Sequence, residues 1–543
     1  MKRLLTILLS LTLTLTLALA GPKKSNNLDS YTLQLGIDAL KNEQVEEALP
    51  LFERVIKNDS TNGYAHFWLA LGLSNLVHRT LEEVEATFTA LNNALKYLPK
   101  KEKYYLSTAY QIRARVNLVR KDTAAALNDY AVAIKCKPEL KSLYEDRAEL
   151  YFDMHEYKLS NKDYDKLLEL DPHNVIGFMG KGRNYRNLGQ YDLAITHFTY
   201  VIQMYPNFSR GYSFRAECLL LKNKYSEAAD DILAALDLDE DSKARGLLID
   251  EFRGDKMNVI KPKLHRMTHK EPNRALWRYY LAVLLEVNEQ YKEAIKQYHE
   301  ANRLDAALTA DERIAVCHAS MGNYAKALEY LNLVIAKDTT KANLYSRRAH
   351  YYSELGEYQK AIEDYDKYVE MMPGNSRAYF LRGWEKHMAG QHEDAIEDLS
   401  ISINMDSTFS VAYDGRGRSY LSLGQIDLAK ADFEKILSFD TVPATNSCAA
   451  FAYHFLGQDS IAIDYALRCL EVDPRTLYNV ACAYALAGNA EKAVEYLRKD
   501  FEDGFVRLYH LSRDVDFDAI RQDPAFQALI EEYTQKIQQS WVE

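Results

Sequence analysis

Three residue patterns in this 543-residue chain have the spacing to carry chemistry. His265 and His269 stand four apart in the run HRMTH, which sets two imidazoles on one helix face where a metal could bind. No Glu follows the first His and no third ligand is evident, so the pair is not read as a metal site. Gly180-Lys181-Gly182 has the composition of a phosphate-holding turn, in which backbone amides and a lysine would cradle an anion. Six arginines each precede an aspartate by sixteen residues: Arg113–Asp129, Arg147–Asp163, Arg215–Asp231, Arg348–Asp364, Arg382–Asp398 and Arg416–Asp432. Such a row is either a set of anion sites or a set of internal ion pairs. No Ser/His/Asp or Cys/His arrangement with supporting context occurs, so no catalytic residue, metal or cofactor is assigned.

The elements that position these residues follow from a periodicity. Ala294, Ala327, Ala361, Ala395, Ala429, Ala462 and Ala493 recur near every 34th residue, and Ala48, Ala126, Ala194 and Ala228 keep the same beat earlier. A period this long means one supersecondary unit copied many times. In NLYSRRAHYYSELGEYQKAIEDYDKYVEMMP, residues Asn343 to Pro373, the spacing of Tyr345, Arg348, Ala349 and Tyr352 marks one helix face. Gly356 breaks that helix, Ala361, Tyr365 and Tyr368 mark a second, and Pro373 ends it. The unit is a helical hairpin with small residues where its helices approach. Gly180 and Gly182 then fall inside a first helix at the small-residue position, so helix packing explains them. The copies also act as an internal alignment. Where the arginine position is apolar (Leu281, Ile314, Ala449, Val480), its partner is Gln297, Tyr330, Tyr465 or Tyr496, never Asp, and Lys181 goes with His197. That matching predicts ion pairs across the two helices of one repeat.

These landmarks closely resemble the tetratricopeptide repeat: an aromatic, a small residue, Tyr, a turn Gly, then Ala, an aromatic and a closing Pro. They recur as Tyr144, Ala148, Tyr151, Tyr164 and Pro172, as Phe178, Gly182, Tyr185, Ala194, Phe198 and Pro206, and as Tyr413, Gly417, Tyr420, Ala429 and Phe433. The resemblance implies an all-α fold, a right-handed α-solenoid of antiparallel helix pairs, with about 13–14 repeats and a C-terminal capping helix. The second unit carries extra residues near Val77 to Val84, and 241–274 keeps the repeat length without the small-residue landmarks. The expected organisation is a signal at 1–20, a short linker at 21–28, an N-terminal array at 29–240, and a degenerate repeat or joint at 241–274. A C-terminal array at 275–500 and a capping segment at 501–543 follow, with Phe517, Ile520, Phe526, Leu529 and Ile530 covering the last repeat. In this family, ligand-contacting residues commonly lie on the first helix, away from the small packing positions. That phase here holds Arg377, Phe380, Trp384 and His387, with His350 before and Arg418 after, and more weakly Met179, Arg183 and Arg186. The aromatic pair is either a partner anchor or filling between neighbouring first helices. The Lys/Asn carboxylate clamp of some members is absent, because the corresponding positions carry Ser, Glu, His and Trp.

Lys2 and Arg3, the uncharged run Leu4 to Leu17 and Ala18-Leu19-Ala20 read as a secretory signal, with an uncleaved anchor as the alternative. Gly21 in place of Cys disfavours a lipoprotein. Export to a bacterial periplasm or envelope is the expectation. Losing Lys2 and Arg3 moves the formal charge from −11 to −13, which argues against a general nucleic-acid binder. The six cysteines are too scattered for a disulfide framework and read as small buried hydrophobes. Lys256, Lys261, Lys263, Arg266 and Lys270 form either a solvated basic face or a docking patch. The functional expectation is a non-enzymatic scaffold that binds a partner protein or extended peptide on its concave face, with self-association possible. An assembly component of an envelope complex and a glycan- or small-molecule-binding protein are the alternatives.

Overall fold

A computed structural model describes residues 28–76, 80–238, 241–308, 310–439, 448–502 and 508–542. The signal expected at 1–20, the linker before Leu28 and Val77 to Arg79 of the inserted stretch lie outside the described residues. The described chain is helical and holds no strand, and its helices follow one another as packed pairs. It divides into two compact units, one ending at Glu251 and one beginning at Phe252.

The first unit holds six helix pairs, from Leu28–Lys41 with Val45–Asn58 to Ser209–Leu221 with Tyr225–Leu238, followed by the helix Ser242–Glu251. Its second pair, like its third, has one helix longer than those of the other pairs. There Leu81–Tyr97 runs 17 residues and starts from a capping box, with Glu83 N–H donating to Thr80 Oγ1 at 3.2 Å and Thr80 N–H to Glu83 Oε2 at 2.7 Å. The second unit opens with Met257–Lys270 and holds seven pairs. These run from Ala275–Val287 with Tyr291–Leu304 to Leu477–Leu486 with Ala490–Glu502. A short helix Leu508–Arg513, a 3₁₀ segment Val515–Ile520 and the helix Pro524–Val542 close it.

The small residues do what their spacing requires. The beat alanines, from Ala48 to Ala493, are at most 1% exposed, because each sits where two helices of a pair cross. On the second helices, one turn past that position, lie the aromatics Phe52, Tyr164, Phe198, Tyr298, Tyr365 and Phe433, which are buried too. Gly182 shows why the position tolerates so little: a Cβ there would overlap the ring of Phe198. Gly180 would collide with Tyr164 in the same way, so Gly180-Lys181-Gly182 is helix packing in the Val175–Asn187 helix. Buried tyrosines such as Tyr130, Tyr164 and Tyr465 likewise serve packing.

The turn between the helices of a pair needs a left-handed residue. Seven pairs use Gly there (Gly189, Gly322, Gly356, Gly390, Gly424, Gly457, Gly488) and five use Glu43, Lys121, His155, Asn223 or Glu289, all at positive φ. At the closing end, five side chains pack the last repeat. Phe517, Ile520, Phe526 and Leu529 are at most 2% exposed beside Ala481, Ala485, Leu497 and Phe501, and Ile530 packs at the edge. Among the described residues no helix is long and apolar enough to cross a membrane. Among the described residues the six cysteines form no disulfide with one another, and five are buried.

Gly424 adopts φ +70° with nothing within 4 Å of a Cβ built on it, so its role is backbone conformation alone. Gly424→Ala should lower stability by about 1 kcal/mol, measured as a drop in urea midpoint at unchanged slope.

Candidate functional site

The six arginine–aspartate pairs form in every case. Each Arg donates through Nε and Nη2 to the two oxygens of the Asp sixteen residues on, at 2.6–2.9 Å. The aspartates are almost fully buried, and the arginine side chains are about one-fifth exposed. The ordinary anion-site reading therefore fails, because each guanidinium fork is already filled. Five of the six arginines also make a bond that the sixteen-residue spacing did not predict, Arg113 to Asn92 at 2.8 Å among them. In four repeats Nη1 reaches back sixteen residues to the preceding second helix: Arg215 to Thr199, Arg348 to Asn332, Arg382 to Asp366 and Arg416 to Ser400, at 2.8–3.0 Å. One side chain thus ties three helices. The polar residue at that offset was the available signal. Lys181 uses it as well, pairing with Asp165 instead of His197. His197 instead stacks on Tyr185, and burial holds it down to about 4.

The first-helix candidates of the second unit divide into open and engaged groups. Phe380 and Trp384, in the Ser376–Met388 helix, are half-buried with ring centroids 6.3 Å apart. Phe380 meets Phe409 edge-on at 5.2 Å, and Trp384 packs over Gly415 of the next first helix. Gap filling and partial exposure therefore coexist in this pair. Arg377 is exposed at the start of the same helix, and His350 is 51% exposed on the preceding first helix. His387 is engaged: its Nδ1 lies 3.0 Å from Ser419 Oγ, and burial, with His392 and Arg418 nearby, pulls it down to about 4.

Arg418 is taken by the chain's own C-terminal segment. Its Nη1 donates to Asp516 at 2.8 Å, its Nε donates to Asp414 at 3.0 Å, and its guanidinium lies 3.5 Å from the centre of the Phe451 ring. Beside it the Tyr478 hydroxyl donates to Asp514 at 2.7 Å. Cys482, Asp514 and Asp516 converge here, and it is among the described residues the one group of three potential metal ligands that do so. Arg418 and Tyr478 already occupy the two carboxylates. The same tail touches earlier repeats: Arg513 faces the Tyr358 ring at 5.8 Å, and Ile537 lies against Gly322.

Two acids missed by the repeat reading lie on the Ala342–Glu354 and Ser376–Met388 helices. Glu354 and Glu385 are 8% and 5% exposed, and Oε2 of each accepts no hydrogen bond. Burial, reinforced by the charge of Glu354, pushes the Glu385 carboxyl up to about 7. Asp414 has one unpartnered oxygen of the same kind and is pushed up to about 6 by burial.

In the first unit, Met179 packs with Ala194, Phe198 and Cys218. Arg183 pairs with Glu149 at 3.0 Å and Arg186 with Glu217 at 2.5 Å, so both link neighbouring repeats. His265 and His269 share a helix, with His269 Nδ1 2.6 Å from the His265 carbonyl oxygen, and join no cluster of three ligands among the described residues. Lys256, Arg266 and Lys270 are exposed, and Lys261 donates to Gln290.

A stack of helical hairpins held by small-residue crossings defines a repeat scaffold. Tetratricopeptide repeat models match residues 33–91, 179–243 and 281–342, and again 342–375, 411–441 and 474–499. The chain belongs to the tetratricopeptide repeat family. It is 27% identical over 187 residues to human "Tetratricopeptide repeat protein 6", covering 33% of this chain and 35% of that protein. The match therefore spans about a third of the human relative's length. It is 30% identical over 132 residues to "Low calcium response locus protein H" of Yersinia pestis, covering 24% of this chain and 73% of that protein. Among solved structures, yeast Tom70 aligns over 80% of this chain and 100% of its own at 15% identity, with a TM-score of 0.37.

Arg348 and Asp364 give the cleanest test of the ladder, because Arg382 and Asp398 have the further partners Asp366 and Lys386. Arg348→Ala should cost about 3 kcal/mol by leaving Asp364 buried and unpaired. Adding Asp364→Ala should cost less than the sum of the two single losses; strict additivity in the denaturation cycle contradicts the pairing.

Proposed function

We propose that this chain is a non-catalytic scaffold whose second unit binds a partner protein, or an extended peptide from one, on the face built by its first helices. Arrays of this family typically act as scaffolds in protein–protein interaction. The observation that carries the reading here is the half-exposed pair Phe380 and Trp384 at the ligand phase of the repeat. Rigid aromatic surface that is neither buried nor freely solvated is what an interface anchor offers, with low entropy lost on contact. Arg377 and His350 flank it as exposed polar groups, while the tail takes the next position along at Arg418. The anchor is therefore short, spanning the Ala342–Glu354 and Ser376–Met388 helices.

We further propose export to a bacterial envelope, supported by Lys2, Arg3, the apolar run and Ala18-Leu19-Ala20. Two measurements address these readings. N-terminal sequencing of the chain recovered from its native compartment should begin at Gly21; a chain retaining Met1 in the cytoplasm contradicts export. For the anchor, immobilised wild type, Trp384→Ala and the second-helix control Leu428→Ala are exposed to envelope extract. Wild type and Leu428→Ala should retain one stoichiometric soluble partner, and Trp384→Ala should lose it by about tenfold or more. Equal retention by all three, with the fold intact, would sink the anchor.

A further inference from the structure

Glu385 is out of place by the chain's own standard. At the position of Glu385, other repeats bury uncharged side chains, Val116, Leu150, Cys218, Leu284, Tyr351 and Ala452 among them. A carboxylate in such a place costs stability unless donors surround it. Elsewhere the chain supplies them: Glu286, 8% exposed, accepts from Tyr298 at 2.5 Å and from Arg313 at 2.9 Å. Glu354 and Glu385 lack this. Each has an Oε2 without a donor, and their other contacts are slight. His350 Nε2 stands 3.9 Å from Glu354, and the Ser353 hydroxyl donates to Glu385. The two carboxyls also act on each other, so they form one site of excess negative charge.

We propose that Glu354 and Glu385 are the receiving pair for a basic side chain of the partner, lysine or arginine, inserted beside His350 between the Ala342–Glu354 and Ser376–Met388 helices. This rests on the partner-binding reading above and gives that partner its chemistry: a basic, extended segment. Charge complementarity carries it. Two carboxyls that each keep an unpartnered oxygen call for a cation with several N–H donors. The half-exposed His350 marks where the pair lies nearest solvent. A partner cation would take the place of its weak contact with Glu354.

Proton linkage gives the site a signature. The groups around Glu385 are Glu354 and His350 of the preceding first helix and Tyr365 of the second helix between them. His392 and Arg418 reach His387, further along the helix that carries Glu385. With its carboxyl pushed up to about 7, Glu385 holds a proton at pH 6 and has released it at pH 8. Binding a cation requires the ionised form, so affinity rises as pH rises through that window.

The test is fluorescence anisotropy on the full chain, with labelled eight-residue peptides alternating Ala with Lys, Arg or Glu. The Lys and Arg peptides should bind and the Glu peptide should not, with affinity about tenfold higher at pH 8 than at pH 6. Glu385→Gln, close in shape to the protonated acid, should weaken binding about tenfold at pH 8 and flatten the pH response. Glu354→Gln should weaken it similarly, and Glu363→Gln, exposed on a second helix, should leave it unchanged. Indifference of basic-peptide binding to both Gln variants overturns the proposal, as does equal binding of the Glu peptide or no binding by any peptide. Tight Ca²⁺ binding lost in both variants, without peptide binding, would make the pair a metal site and overturn it too. A Trp384→Ala variant that still loses the natural partner would leave the broader reading standing in any of these cases.

Discussion

Two helices can lie only as close as the side chains at their crossing allow, and that limit governs this protein. An alanine or glycine at the crossing brings the backbones near enough for the opposing aromatic to fill the remaining space, as Gly182 and Phe198 show. A larger residue would force the pair apart and spoil its contact with the next pair. Because each repeat packs chiefly on its neighbours, the constraint is local and has to be met anew in every copy. This is why the alanines recur and why they are all buried.

Close packing fixes distance but not register, and the arginine rungs supply the second. Each guanidinium lies flat against its aspartate, and in four repeats it also reaches the preceding second helix. In five of the six rungs the ring of the tyrosine three residues earlier lies within about 6 Å of the guanidinium. A hydrophobic contact would tolerate sliding; a bidentate pair with a third bond does not. Repeats that replace the rung with apolar and tyrosine pairs, such as Val480 with Tyr496, rely on packing alone. Arrays of this kind tolerate such exchange because neighbouring units supply most of the remaining contact.

With packing and register accounted for, the groups that do neither stand out. Arg418 occupies a ligand phase yet holds the tail, through Asp516, and in doing so stitches the closing segment to a helix nearly one hundred residues earlier. Glu354 and Glu385 occupy buried positions yet each leaves its Oε2 without the donor that burial requires. Arg418 is a ligand-phase residue turned to structure, and the two glutamates are buried positions that structure does not explain. The open surface between them, around Phe380 and Trp384, is where the second unit still has unspent interaction.

The sequence by itself determined the hairpin unit, its count, the crossing residues, the five closing side chains and the arginine–aspartate pairing. All but the closing side chains repeat, so the copies serve as their own alignment, and the underlying physics is local to one or two helices. Only the tertiary structure decided the rest: that Arg418 is covered, that Lys181 turns back to Asp165, and that Glu354 and Glu385 come together with one oxygen of each left without a donor. Those outcomes depend on which side chains meet across different repeats. A 34-residue pattern records the position of each residue within its unit. It carries no information about a partner that arrives once, from a hundred residues away or from the next helix over.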